Sequence, residues 1–438
     1  MQTPVRRAAA FALVGTLAIS APVVGPIAAV PFALIAVVAR LVSGGWAFDL
    51  FARPEDYRRG QLHGLVGFAL AATGLGLLTA PALAGLPEAV FVAAVLLVAY
   101  GNLAETVACE GRDTAFRRAV GFGTGGALAA FGGQALGATL AGASVEPATA
   151  AFLATCGGLV GALMRASLLR TDDPAVVSSV ALVLWLLASL GIDVDPGGFV
   201  LALAVAGTMG YVAWLLGTAS VSGMLAGVLT GLVTIVLGGV GWFVALIAFF
   251  GVGGAASKYR YEEKRELGVA ESDEGARGTR NVLANAAVAV LAVVGFAASP
   301  MLAADPALFR LAFAGSLATA LSDTLSSELG VLYGEPRLIT SMEEVEVGTD
   351  GGVTLEGGGA GLAGTALIAA VALGLLDVSA VGAVVVVVCG MVGMTVDSVL
   401  GATLEGRLIG NQTVNFLATL SGGLAAAGLG LALGLASL

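Results

Sequence analysis

Asp323 and Glu328 stand five residues apart in Leu321-Ser322-Asp323-Thr324-Leu325-Ser326-Ser327-Glu328-Leu329-Gly330, at the end of an otherwise apolar stretch. On a helix Asp323 and Ser327 lie one turn apart, as do Thr324 and Glu328. A carboxylate inside a bilayer costs roughly 2.5–3.5 kcal/mol on insertion scales, so such acids require partners or a wet cavity. Oxygen ligands and water suit Mg2+, and the segment is a candidate metal site. The plainer reading is a helix end that reaches solvent with its charges hydrated. Asp397, in Val396-Asp397-Ser398-x-x-Gly401-Ala402, is the only acid between Asp377 and Glu405. Asn411 and Asn415 follow, one turn apart, able to hold a phosphate or ribose oxygen, to complete a metal shell, or simply to clasp two helices.

Basic groups that could meet phosphates come next. Lys258 and Lys264 are the only lysines in a chain that otherwise uses Arg. Lys offers a compact, movable charge where Arg imposes a planar fork, so two retained lysines point to phosphate contacts. Against this stands a positive-inside anchor, which Arg serves equally. Arg277, Arg280, Asn281 and, one turn on, Asn285 extend the same region. Pro336-Arg337-Leu338-Ile339-Thr340 followed by Gly348-Thr349-Asp350-Gly351-Gly352 can wrap an anion in backbone N–H groups, with Arg337 adding donors. GxxxxGK[ST] is absent, so this is not a P-loop ATPase.

The elements that must position these groups are membrane helices. Apolar residues make up 58% of the 438 and charged residues 11%, against roughly 25% charged in soluble domains. Stretches of about 20 apolar residues, enough to cross ~30 Å of hydrocarbon, recur throughout. They lie near 8–42, 61–80, 86–106, 120–142, 147–168, 175–191, 197–216, 219–236, 238–255, 281–302, 306–329, 361–376, 378–398 and 412–436. The expected fold is an all-α polytopic bundle of about 13–15 helices, with an N-terminal part over 1–192 and a C-terminal part over 197–438. The basic clusters at 6–7, 53–59, 112–118, 165–170, 258–280 and 337 are separated by even numbers of crossings. All can therefore face the cytoplasm of a multi-pass cell-membrane protein, with the N-terminus and the polar loops inside.

The remaining composition excludes several classes. The formal charge is −10, so a basic nucleic-acid face is absent; acidic excess with scarce lysine fits a salt-loving, high-GC prokaryote of archaeal type. His63 is the only histidine, which rules out a His-ligated zinc site or an ordinary Ser-His-Asp triad. Cys109, Cys156 and Cys389 form no CxxC pair. Nothing implies a protein partner.

A degenerate internal repeat is visible. Residues 137–158, GATLAGASVEPATAAFLATCGG, match 401–422, GATLEGRLIGNQTVNFLATLSG. Glu105-Thr106-x-x-x-Glu110 echoes Asp323-Thr324-x-x-x-Glu328, and Arg59-Gly60-Gln61 echoes the stretch around Arg280 and Asn281. In this register Gly133 and Ala151 stand opposite Asp397 and Asn415, and the first copy reads as a decayed, structural one. The second copy then carries an extra apolar segment, so the two share an orientation only if one segment is re-entrant.

Together Asp323-Thr324-x-x-Ser327-Glu328-x-Gly330, Pro336-Arg337-Leu338-Ile339-Thr340, Gly348-Thr349-Asp350-Gly351-Gly352, Val396-Asp397-Ser398-x-x-Gly401-Ala402-Thr403 and Asn411-x-x-Val414-Asn415-Phe416 resemble a membrane family known as domain of unknown function ninety-two, over about residues 200–430. Its plant members are phytyl-phosphate kinases, similar to the CTP-dependent phytol and dolichol kinases. Val347 stands where that pattern has Pro, and Asn281 and Gln412 where it has Gln and Asn. The resemblance implies transfer of the γ-phosphoryl of a nucleoside triphosphate, CTP, to a prenyl phosphate such as phytyl or geranylgeranyl phosphate at the inner face. Asp323, Glu328 and Asp397 are then the expected catalytic and Mg2+ residues. Lys258, Lys264, Arg280, Asn281, Asn285, Arg337, Thr340, Asn411 and Asn415 are the expected nucleotide-binding set, with membrane lipid around the bundle. The alternatives are a transporter of an anionic or lipid-linked substrate, which the repeat and the intramembrane acids suggest, and a non-catalytic membrane scaffold.

Overall fold

The computed structural model describes residues 4–167, 172–269 and 278–437, and 79% of the residues are helical. The chain divides after Phe199 into two compact units, a boundary that falls inside one helix. The first unit contains α1 (Pro4–Thr16), α2 (Ala21–Val24), α3 (Ala29–Leu41), α4 (Gly45–Phe51), α5 (Pro54–Arg59), α6 (His63–Leu78), α7 (Glu88–Ala108), α8 (Ala115–Leu140), α9 (Pro147–Ser167) and α10 (Asp173–Ser189). After α11 (Pro196–Leu215), the second contains α12 (Val221–Gly238), α13 (Val240–Lys258), α14 (Tyr261–Glu266), α15 (Thr279–Leu302), α16 (Pro306–Tyr333), α17 (Leu355–Leu375), α18 (Ala380–Thr403) and α19 (Asn411–Ala432).

Ten helical stretches among the described residues are long and apolar enough to cross a membrane, with the run Pro4–Leu41 taken as one. Adding the shorter α6 and α10 and the long, more polar α8 and α16 gives fourteen segments. The only ladder among the described residues joins β1 (Arg337–Leu338) and β2 (Gly352–Val353), antiparallel, with Arg337 opposite Val353.

α16 is the axis of the second unit. It packs against α13, α15, α17, α18 and α19, and every residue from Phe313 to Ser322 is buried. Its middle is small (Ala314, Gly315, Ser316, Ala318, Thr319, Ala320), and small residues let helices approach where lipid supplies no hydrophobic drive between them. A Cβ on Gly393 of α18 would come within 2.2 Å of Thr319 Oγ1, and one on Gly422 of α19 within 1.9 Å. Side-chain oxygens close the helix starts: Asp305 accepts from Ala307 N, Thr354 from Gly357 N and Ser379 from Gly382 N, each satisfying an otherwise orphaned amide.

Two helix ends differ from the sequence expectation. α16 runs four residues past 329 and α18 five past 398, so Asp323 and Asp397 are helix-interior positions. The hydroxyls near these ends bond back onto their own helix. Thr324 Oγ1 donates to Ala320 O (2.8 Å), Ser327 Oγ to Asp323 O (2.9 Å), Ser398 Oγ to Met394 O (3.3 Å) and Thr403 Oγ1 to Val399 O (2.7 Å). Such back-bonding lets Ser and Thr sit mid-helix.

The two units share a chain order of packing, in a register other than the one GATL suggests. In the first unit α7 is the buried axis, packed on α8, α9 and α10; in the second α16 packs on α17, α18 and α19 in the same chain order. Thr114 caps α8 as Thr354 caps α17. Glu105 of α7 and Asp323 of α16 lie toward the C-terminal ends of their axes. Gly121 of α8 meets Ala108 of α7, and Gly133 meets Leu96, so Leu140 lies at the end of the unit away from Glu105. In the second unit the matching letters at 401–404 follow Asp397, on the acid-bearing end. The GATL match therefore pairs opposite ends of the two units. α17 is a full helix of 21 residues, so no re-entrant segment is needed.

Gly422→Val should lower the unfolding temperature of the purified protein, with the 1–3 kcal/mol cost of overpacking. Gly428→Val on the same helix, where a Cβ meets open space, should not; equal melting of both would show that α19 does not dock on Thr319.

Candidate functional site

Where α16 and α18 finish and α15, α17 and α19 begin, the second unit holds a cavity of about 380 Å3. Asp323, Glu328, Asp350, Asp397 and Glu405 line it, with Asn281, Asn285, Asn411 and Asn415, the hydroxyls of Thr324, Ser326, Ser327 and Ser398, and the turn Gly348–Gly352. Asp323 and Asp397 are brought within hydrogen-bonding reach of one another. α16 and α18 run side by side in the same direction, as the contacts Gly382–Leu311, Gly390–Ala318 and Gly393–Thr319 show, so the two acids arrive at one level.

No Lys or Arg among the described residues lines this cavity. Apart from Glu328, which Lys264 pairs from outside the wall, its acids thus meet no basic side chain in the wall among the described residues, and two carboxylates in contact repel unless a cation or a shared proton lies between them. Asp397 Oδ1 and Asn281 Oδ1 are buried with no hydrogen-bond partner, although buried acceptors are nearly always paired. Glu405, just beyond the end of α18, is pushed above the ordinary carboxylate range by burial and then by Asp350, partly offset by a hydrogen bond from Asn411.

The turn that roofs the cavity is pressed onto α18. Gly351 has φ +78°, and a Cβ there would strike Ala402 N at 2.5 Å and Ser398 O at 2.6 Å; only glycine fits. Ile339 N donates to Gly351 O (3.0 Å) and Gly352 N to Thr349 O (2.9 Å), which ties the turn to the strand pair.

The expected basic groups are placed elsewhere. Lys264 is buried: its Nζ donates to Ala256 O (2.8 Å) and Ser257 O (3.2 Å), at the end of α13, and to Glu328 Oε2 (2.5 Å) on α16. All three donors are engaged, so Lys264 caps α13 and fastens it to α16 instead of facing a phosphate. Glu328 lines the cavity but carries its own counter-charge, so the acids do not act as an equivalent trio, and among the described residues no three His, Cys, Asp or Glu side chains form a ready metal cage. Arg337 is exposed and holds its own loop, donating to Met342 O (3.2 Å) and pairing with Glu344 (2.5 Å). Thr340 and Arg280 are exposed, and Lys258 lines a different cavity. Arg277 lies outside the described residues. Asp350 and Glu405 are site acids that sequence reasoning passed over; their signal was position, next to the glycine turn and one turn beyond Gly401.

The pair that meets, Asp323 and Asp397, and the two orphaned oxygens fit a hard divalent cation of the Mg2+ type, which takes one or two carboxylates and keeps several waters.

The first unit shows the same arrangement with its charge supplied internally. Arg165 of α9 follows Leu159-Val160-Gly161 by the spacing at which Asp397 of α18 follows Met391-Val392-Gly393. The Arg165 guanidinium bonds Glu105 Oε2 (3.0 Å) and Asp173 Oδ1 (2.9 Å) and lies 4.8 Å from the centre of the Phe122 ring. Asp173, fully buried, is also bonded by Arg53 and by Asn102 Nδ2 (3.1 Å). By this spacing and the packing order Arg165 stands opposite Asp397, whereas Gly133 lies on α8 and Ala151 near the start of α9.

Apolar helices with an acidic, asparagine-lined chamber at one end of the bundle define a multi-pass integral membrane protein. The chain belongs to the family described as integral membrane protein DUF92, whose profile matches residues 204–423. An uncharacterized membrane protein of Methanocaldococcus jannaschii is 36% identical over 208 residues, 46% of this chain and 82% of that one. Another, of Synechocystis, is 33% identical over 202 residues, 44% of this chain and 77% of that one. The chloroplastic protein VTE6 of Arabidopsis thaliana is 32% identical over 203 residues, 45% of this chain and 61% of its own length. No solved structure matches.

Two measurements follow from this geometry. Lys264→Met should destabilise the fold by about 3–5 kcal/mol, because it leaves Glu328 and two carbonyls without their partner, and adding Glu328→Gln should recover part of the loss. Mg2+ or Mn2+ should raise the unfolding temperature of the protein, by as much as ~2.7 kcal/mol of stability at a hundredfold excess over Kd. Asp397→Asn should abolish that rise; Arg165→Met should weaken the fold yet keep it, and a cation response that vanished only in the Arg165 variant would move the site to the wrong unit.

Proposed function

We propose that the second unit is a phosphotransferase that moves the γ-phosphoryl of a nucleoside triphosphate, CTP, to an isoprenoid monophosphate such as phytyl or geranylgeranyl phosphate. The observation that carries this reading is the Asp323–Asp397 pair with the buried, unpartnered oxygens of Asp397 and Asn281. The motifs resemble those of the phytyl-phosphate kinases, and the similarity to VTE6 is consistent with a membrane enzyme of prenyl-phosphate metabolism.

Phosphoryl transfer asks the protein for positioning and charge neutralisation more than for covalent chemistry. A phosphate oxygen of the acceptor attacks the γ-phosphorus, the bond from it to the β-phosphate oxygen breaks, and the nucleoside diphosphate leaves. A chamber walled by five acids repels a bare triphosphate, so the nucleotide enters as its metal complex. Mg2+ held by Asp323 and Asp397 would neutralise the phosphoryl oxygens. Asn411 and Asn415 then offer amide donors to the sugar or phosphates, and the Gly348–Gly352 turn closes over them and limits water.

The cytoplasmic face is the side we assign to this chamber. Lys258, Arg260, Lys264, Arg265, Arg280, Arg337 and Arg407 lie on segments at its end of the unit, whereas the short connections at the other end hold Asp305, Asp377 and, just inside α16, Arg310. That bias follows the positive-inside rule. A transporter would hold its polar groups near mid-span in paired halves; here the open acid pair lies at one end of one unit.

The purified protein, given γ-labelled CTP, Mg2+ and a panel of prenyl alcohols and monophosphates, should place label in a prenyl diphosphate. Asp323→Ala and Asp397→Ala should each lower kcat at least about a hundredfold. If a folded, cation-binding wild type transferred label to no acceptor from any nucleotide, the assignment would be lost.

A further inference from the structure

A second cavity of about 400 Å3 opens among α11, α12 and α13 of the same unit. Its wall is Ala, Gly, Met, Leu, Ile, Val and Phe; among the described residues Thr218 and Lys258 are its only side chains with a hydroxyl or a charge. Lys258 ends α13, at the same end of the unit as the acidic chamber, and Phe243 lies fifteen residues back along that helix, ~22 Å away at 1.5 Å per residue. The lining therefore runs along α13, apolar for most of its length, with a single cation at one end. Gly227, Gly251 and Gly254 face empty space where a Cβ would stand, so missing side chains, and not a gap in helix packing, make the room.

Val282 connects the two cavities. It lines the apolar groove, while Asn281 and Asn285, on the neighbouring face of the same first turns of α15, line the acidic chamber. The groove and the chamber that holds the orphaned Asn281 oxygen thus meet the first turns of α15 from two sides. Among the described residues Lys258 has no ion-pair or hydrogen-bond partner, in contrast to Lys264, whose donors are all engaged.

We infer that this groove is the acceptor site: it takes the chain of an isoprenoid monophosphate lengthwise between α12 and α13, with the phosphate at Lys258 and directed past α15 toward the chamber. The inference rests on the phosphotransferase reading for its ligand's identity, and on the groove for its place. The apolar wall fits a hydrocarbon chain, the lone ammonium fits one anionic head, and the shared α15 turn brings that head to the chamber where a phosphoryl group would be received.

The test uses the full-length protein in detergent with geranylgeranyl monophosphate that carries a photoreactive diazirine in its chain. Label should map to residues between 206 and 258 and be competed by unlabelled geranylgeranyl monophosphate but not by an equal excess of phosphatidylglycerol. Gly227→Leu and Gly251→Leu fill the groove where the backbone leaves room, so the fold tolerates them. They should cut labelling and raise the acceptor KM about tenfold or more, the worth of two buried methylenes, with the nucleotide KM unchanged. Gly374→Leu, on α17 with equally open space, is the control. Competition by phosphatidylglycerol at equal strength would reduce the groove to a site for bulk lipid, and unaltered labelling and KM in both leucine variants would also overturn the proposal. Selective labelling without any phosphoryl transfer would leave the groove standing and remove the phosphotransferase reading; transfer that ignores the leucine variants would do the reverse.

Discussion

Two carboxylates brought into contact at the end of a helix bundle are the constraint around which this molecule is arranged. At an effective dielectric of about 20, unit charges 4 Å apart interact with ~4 kcal/mol, a large part of the 5–15 kcal/mol that holds a typical fold together. The bundle must supply positive charge at that point or be built to receive it. In the second unit Asp323 and Asp397 face a chamber with no basic side chain among the described residues, and Lys264 is committed to Glu328 and to the end of α13. The separation of Lys264 from the chamber is what leaves the acid pair available.

The distance between the acids is set by glycine. Thr319 of α16 is flanked by Gly393 of α18 and Gly422 of α19 at separations no Cβ permits, so the three axes are drawn together about one turn below Asp323. The chamber opens where side chains again exceed glycine in size. Its roof is fixed the same way, since Gly351 lies against the backbone of Ser398 and Ala402. Close packing in the apolar part and chemistry at the polar end are thus consequences of one set of small residues, which is how a bundle without hydrophobic drive between its helices gains precision.

Much of this was legible in the letters. The positions of the spans follow from apolar runs, and Asp323 and Asp397 stand out because an acid amid Val, Leu and Gly is costly in a bilayer unless it has a partner or a wet cavity. What stayed hidden has physical causes. The apolar runs stop near 329 and 398, but the hydroxyls of Thr324, Ser327, Ser398 and Thr403 bond backward and the helices continue. The rarity of lysine drew both lysines toward phosphate. It could not reveal that Lys264 folds back on Ala256 and Ser257, a contact between residues eight and seven positions apart made through the turn before α14. The packing register was hidden because GATL is cheap in an Ala- and Gly-rich chain, whereas Arg165 and Asp397, which the packing order sets opposite one another, carry opposite charges.

The two units differ in how they meet buried negative charge. Buried acids without a counter-charge repel one another and destabilise a chain by kcal/mol. In the first unit an arginine on the helix facing Glu105 and Asp173 brings that charge in covalently. A guanidinium cannot dissociate, so its charge stays in place where a bound ion would exchange with solvent. The first unit thus holds a single electrostatic state, whereas the wall of the second unit's chamber carries no basic side chain among the described residues, and its electrostatics depend on the solution around it.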